Sequence, residues 1–277
     1  MSIFAFMYFD VAMPSALFAV TLASLLLSEK VESKLKTIFE ERQFTGKDAV
    51  VLVVLMGIAV TLIGLGARYG FVNMLMALFL FSYSMLLFLF TYVSLNKQRF
   101  LAVVPPAVFV LLYSLLRGTI IWSLYLVNVY AIIFAVLVTL YLGSLFTWKA
   151  TWIFAVLITL LDVVQVFVTG AMVEAAEAGV TLQLPVVVAT PVFPSAIGLL
   201  RLGLGDFFLA GLLSIQTLKK YGRKPAILSA AAIAVVFFIF EIYLLNYFQG
   251  YFPATLIVIL GWLPIALWKV KTTKKPL

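Results

Sequence analysis

Thr151–Thr169 reads TWIFAVLITLLDVVQVFVT, an unbroken apolar run with a single charged residue, Asp162, well inside it. The run is about as long as a helix that crosses a bilayer, ~20 residues. Runs of the same kind recur along the whole chain. Of its 277 residues, 65% are hydrophobic and only 11% are charged. A soluble domain is nearer half apolar and roughly a quarter charged. Together, the length of the runs and the composition point to an all-α polytopic membrane protein.

Working outward from that run, nine spans are expected. They are Ile3–Leu27, Ala49–Ala67, Phe71–Leu95, Phe100–Leu116, Thr119–Leu142, Thr151–Thr169, Pro194–Leu218, Pro225–Phe248 and Phe252–Trp268. The first is too long for the apolar core of a signal peptide and no basic residue precedes it, so it reads as a span. Asp48 is placed to cap the second. With no internal repeat, the chain reads as one membrane domain, 1–277. Spans 1 to 6 fill 1–169, a loop covers 170–193, and spans 7 to 9 with a basic tail fill 194–277. Within the loop, Ala171–Gly179 can continue as helix. Val180–Val188 is β-branched and apolar with Pro185 inside, which suits an edge strand or an interfacial loop equally.

The chain has no Cys and no His. That removes zinc centres of the metalloprotease kind and every Ser–His or Cys–His nucleophile. If the chain is an enzyme, its chemistry falls to carboxylates, Lys, Tyr or Ser/Thr, and neither a metal nor a cofactor is expected. The net charge of +8 calls for no nucleic-acid partner. With nine spans, sixteen of the nineteen Lys and Arg gather on one side, from Lys30 in the first loop to Lys275 in the tail. Arg68 and Arg117 lie on the other side, and Arg201 lies inside a span. Positive residues mark the cytoplasmic face. The expected topology is therefore a cell-membrane protein with its N-terminus outside and its C-terminus in the cytoplasm.

Asp inside a span costs roughly 2.5–3.5 kcal/mol on insertion scales, so the few intramembrane charges are informative. Asp162 and Asp206 lie in consecutive, antiparallel spans at depths that allow them to meet. Two such carboxylates share a proton: one activates water and the other polarises a carbonyl. Gly203-Leu204-Gly205-Asp206 sets two glycines ahead of the second acid, which lets another backbone come close. Packing of small residues beside a buried acid is the simpler alternative. Pro253-Ala254-Thr255 opens the last span, where Pro is ordinary or keeps backbone groups free. Arg201 and Glu241 lie at matching depth and are expected to pair. Asp10 is expected to be solvated at the interface. Gln165 follows Asp162 by one turn.

These motifs resemble the presenilin and signal-peptide-peptidase family of GxGD proteases, most of all its archaeal members. The layout covers the whole chain: an acid in span 6, GLGD in span 7 and Pro-Ala at span 9. Two positions depart from the family pattern. Leu161 stands where the family has Tyr, and Thr255 stands where it has Leu. The resemblance implies cleavage of single-span proteins or signal peptides within the bilayer by Asp162 and Asp206. Gly203, Leu204, Gly205, Pro253, Ala254 and Thr255 would border the site. The partners would be a substrate's transmembrane helix and membrane lipid. The resemblance also implies that Leu184, Val186 and Val187 pair with the unwound substrate, replacing its lost backbone hydrogen bonds. The loop of 170–193 is short, so the active form is expected to be a single uncut chain. Two other functions fit buried carboxylates: an ion-coupled transporter and a non-catalytic membrane scaffold.

Overall fold

The computed structural model describes residues 7–36, 43–95, 98–194, 198–248 and 250–273. The start of the expected first span therefore lies outside the described residues. The helices are α1 (Ala12–Lys36), α2 (Gly46–Arg68), α3 (Val72–Ser94), α4 (Arg99–Leu116), α5 (Val127–Leu145), α6 (Trp148–Phe167), α7 (Ala171–Thr181), α8 (Leu204–Tyr221), α9 (Arg223–Tyr247) and α10 (Ala254–Thr273). A π-helical turn, Ile121–Leu126, leads into α5. One antiparallel hairpin joins β1 (Val187–Pro191) to β2 (Leu199–Gly203). Among the described residues, eight helices are long and apolar enough to cross a membrane. The chain is an all-α, membrane-type protein with a small sheet.

Helix starts follow local chemistry. Thr45 caps α2, and Asp48 returns its carboxylate to the Thr45 N–H at 2.8 Å, so Asp48 is half of a capping box rather than the cap. Thr147 caps α6 through the Ala150 N–H. The first span begins later than expected, at Ala12, which leaves Asp10 ahead of the helix.

Correction is largest at Pro194–Leu218, expected as one continuous span. Within its first half Leu199–Gly203 instead forms β2, and helix begins only at Leu204. Leu199–Gly203 has apolar residues on both faces, so periodicity alone does not separate strand from helix there. What remains, α8, is the hub of the fold: every residue from Phe207 to Thr217 is buried. It packs against α1, α5, α6, α9 and α10. The main core gathers Met13, Leu17, Phe154, Phe207, Leu212, Val258 and Trp262 around it. A second core joins Leu75, Phe109, Trp122 and Phe134 to Leu182 and Leu184.

Candidate active site

Three helix ends converge. Asp162 lies five residues before the end of α6, about 8 Å at 1.5 Å per residue. Asp206 is in the first turn of α8, where Gly203 is the N-cap residue. Thr255 is in the first turn of α10. The Thr255 hydroxyl donates to Asp162 Oδ2 at 2.7 Å. The Asp206 carboxylate accepts from backbone N–H groups of Gly203 and Asp206 itself, as a carboxylate at a helix N-terminus should. Asp162 is 7% exposed.

Asp162, Asp206, Gly205 and Thr255 line one cavity of about 60 Å³, otherwise walled by Phe154, Ile158, Leu161, Phe208 and other apolar groups. A water needs at least roughly 10–15 Å³, so the cavity that both acids line has room for water. Leu161 also packs on Gly57 of α2, where a methyl group would come within 3.1 Å of it. Gln165 lines the cavity too, but its amide is spent on the Gly57 carbonyl at 3.1 Å. At Gly205 nothing lies within 4 Å of where a side chain would start, so the chain is open beside the second acid. At Gly203 a methyl would sit 3.3 Å from Asp206 Oδ2. Pro253 and Ala254 lead directly into the turn that carries Thr255.

The strand is displaced from where it was expected. Helix α7 takes the segment through Thr181, and only Val187 and Val188 of the expected stretch are in β1. Leu184 is 1% exposed and packed in the second core, so it is not free to touch a substrate. Val186 is half-buried beside the same core, and Val187 begins the strand. Four side chains hold the irregular stretch between α7 and β1. Tyr113 donates to Leu182 O, Trp122 to Gln183 O and Tyr83 to Pro185 O, at 2.8, 2.9 and 3.1 Å. The Gln183 side chain accepts from the Gly118 N–H at 2.7 Å. Buried backbone outside helices and sheets persists when protein groups satisfy it in this way.

The hairpin has one open edge. Leu204 N–H bonds to Val186 O, and Val192 N–H to Gly198 O. With the observed register, alternate pairs carry the ladder, so Val188, Thr190, Leu200 and Leu202 face inward. Ala189 faces out of β1, and the Asn128 side chain takes both its N–H and its C=O, at 2.8 and 3.0 Å. Leu199 and Arg201 face out of β2 and have no backbone partner among the described residues. That edge runs toward Gly203 and Asp206.

Two expected charge placements are overturned. Arg201 lies exposed on β2 and does not pair with Glu241. Glu241 is buried, and neither of its carboxylate oxygens has a hydrogen-bond partner among the described residues. Asp10 is fully buried rather than solvated. Sequence depth cannot detect that an acid at the end of a span folds back under a strand. Acids on α7 do pair: Glu174 with Arg68 of α2 and Glu177 with Tyr251 ahead of α10. The Glu177 hydrogen bond, with burial second, pushes the Tyr251 hydroxyl above its ordinary range. No protein-family model matches the chain, and no curated protein matches it in sequence.

Proposed function

We propose that the chain is an intramembrane aspartyl endopeptidase whose dyad is Asp162 and Asp206. The observation that supports this most is the shared cavity. Two acids from different helices line one small cavity, and the chain has no His and no Cys to offer another route. One carboxylate takes a proton from the water as it attacks the peptide carbonyl carbon. The other, protonated, donates to the carbonyl oxygen; as the resulting gem-diol collapses and the C–N bond breaks, it takes that proton back and the first carboxylate passes the water's proton to the leaving amine. No covalent intermediate and no metal enters this scheme.

Membership of the presenilin and signal-peptide-peptidase family is part of the proposal, and it rests on motif order. It requires α8 to be a further crossing, the seventh of nine. Asp206, Lys219 and Lys220 all fall within its 18 residues, which reach ~27 Å at 1.5 Å each. A helix wrapped by five neighbours has little need of a lipid-facing surface. The substrate is then a transmembrane helix that unwinds and pairs along the free edge of β2, with its scissile bond beside Gly205.

The Thr255 hydroxyl orients Asp162, so Thr255→Val should lower turnover about ten- to hundredfold. That is the effect of removing one hydrogen bond to a carboxylate, ~1.5–3 kcal/mol. Thr255→Ser should stay near wild type. Steady-state cleavage of a single-span substrate checks this, and equal rates for the two variants would remove the hydroxyl from the mechanism.

Nine crossings and the skew of Lys and Arg put the hairpin outside the cell and the C-terminus in the cytoplasm. This is the signal-peptide-peptidase orientation, and it favours substrates that run from N-terminus inside to C-terminus outside. Because the chain has no Cys, single replacements report cleanly. Ala176→Cys should react with an impermeant maleimide on intact cells, and Thr273→Cys should not. The opposite labelling pattern would reverse the orientation and the substrate preference with it.

A further inference from the structure

A cavity of about 380 Å³ lies apart from the dyad, at the corner where α2 turns into α3. It is several times the size of the space beside Asp162 and Asp206. The end of α2 gives it Gly64, Ala67 and Arg68, and the start of α3 gives it Val72 and Leu75. The third wall is one stripe of α7, with Glu174, Glu177, Ala178 and Thr181 at helical spacing. Gly64 sets how close that wall comes. A methyl group there would lie 3.3 Å from Ala171 O and from a Glu174 carboxylate oxygen.

The lining divides into a charged part and an apolar part. In the charged part the Arg68 guanidinium pairs with Glu174, and the Glu177 carboxylate accepts from the Tyr251 hydroxyl at 2.9 Å. The side chains of Arg68 and Glu174 are 63% and 34% exposed, so solvent screens their pair and it opens readily. Glu177 is also exposed. A carboxylate offers about four acceptor positions, of which Tyr251 takes one. The apolar part is Ala67, Val72, Leu75 and Leu182.

The depth of the cavity follows from the spans beside it. Both α2 and α3 are long and apolar enough to cross a membrane, and Tyr69-Gly70-Phe71 joins them. That turn marks a membrane surface. Its exposed Tyr69 and Phe71 suit the level of the lipid head groups. Arg68 and Val72 flank the turn, which puts the cavity at the same level. One helical turn deeper on each span, Leu65 and Leu78 are exposed, so acyl chains of the bilayer adjoin the cavity.

We propose that this cavity binds the head group of a phospholipid that carries both a phosphate and a primary amine, as phosphatidylethanolamine does. Arg68 takes the phosphate with parallel N–H donors. The ammonium donates to Glu174 and Glu177, neighbours one turn apart on α7. Val72, Leu75 and Leu182 cover the glycerol end. The charges select this head group. Two carboxylates beside one guanidinium disfavour a lipid whose head group is only anionic. The quaternary ammonium of choline has no N–H to donate and is held by aromatic cages, whereas these walls are carboxylate and aliphatic. Small-ligand sites run from roughly 300 to 1,000 Å³, and a volume near the low end suits a head group. Once bound, it bridges α2 to α7. This inference does not depend on the protease proposal.

The test is native mass spectrometry of the full-length protein in detergent, titrated with phosphatidylethanolamine, phosphatidylcholine and phosphatidylglycerol of matched acyl chains. One phosphatidylethanolamine should bind at least about tenfold more tightly than either other lipid. Arg68→Gln and Glu177→Gln should each weaken that binding about tenfold or more. Ala178→Phe fills the cavity without removing a charge. It should abolish the selectivity, and it serves if Arg68→Gln does not fold. Asp206→Asn should bind lipid like wild type, which separates this site from the dyad. Glycerophosphoethanolamine, which has the head group without acyl chains, should bind at least about tenfold more weakly than the lipid. Equal affinity for the three lipids, or a preference for phosphatidylglycerol, would overturn the site. So would selectivity that survives both Glu177→Gln and Ala178→Phe. Glycerophosphoethanolamine binding as tightly as the lipid would overturn the lipid assignment in favour of a soluble ligand.

Discussion

Asp162→Asn and Asp206→Asn will each lower cleavage of a single-span substrate by at least about a thousandfold, with helix content and substrate binding retained. Removal of one member of a cooperating acid–base pair costs nearly as much as removal of both. Asn keeps the volume of Asp and its hydrogen-bonding reach, so the Thr255 hydroxyl and the amides at the start of α8 keep an acceptor. The double variant should therefore be no worse than either single one. Activity losses that multiply in the double variant would mean two independent roles rather than one dyad. Circular dichroism and crosslinking of bound substrate separate lost chemistry from lost folding.

Arg201→Pro will reduce cleavage by about tenfold or more while leaving Tm within a degree or two, approximately. The Arg201 N–H points away from β1, so Pro removes a donor from the open edge without breaking the ladder inside the hairpin. One lost backbone bond to substrate accounts for roughly 0.5–1.5 kcal/mol, and the ring also obstructs the approach of a pairing strand. Val187→Pro is the contrasting variant. It lies on the β1 side, where Asn128 already occupies Ala189, and it should cleave at close to the wild-type rate. If Val187→Pro fails and Arg201→Pro does not, substrate pairs on the other side of the hairpin.

How far each feature was legible depends on whether its signal is local. Apolar length alone located the helices α2 to α6, α9 and α10, to within a few residues. The short helix after α6 was legible in Ala171–Gly179, which has no strand-forming run. Asp162 and Asp206 stood out because charge is costly in a span, and the structure brings them to one cavity. The β2 strand was not legible, because Leu199-Leu200-Arg201-Leu202 fits a buried helix equally well. What makes it a strand is tertiary: β1 pairs with it, and Asn128, Tyr83, Tyr113 and Trp122 hold β1 and the segment before it. Those four residues read as ordinary span residues in sequence. Their polar tips on otherwise apolar stretches were the signal, a faint one. Thr255 stood in the sequence as a departure from a family motif. Its bond to Asp162 depends on α6 and α10 converging, which no spacing along the chain encodes. The expected Arg201–Glu241 pair failed because depth counted along a helix does not apply to a residue in a strand.

The central claim is hydrolysis inside the membrane, and intact-mass analysis of the products tests it most directly. Purified protein would be reconstituted in liposomes with a single-span substrate that runs from N-terminus inside to C-terminus outside. The account predicts paired fragments whose masses sum to the substrate plus one water, with the new ends inside the apolar span. The same fragments should be absent with Asp206→Asn. An intact substrate, cuts confined to the soluble flanks, or equal cleavage by Asp206→Asn would contradict it.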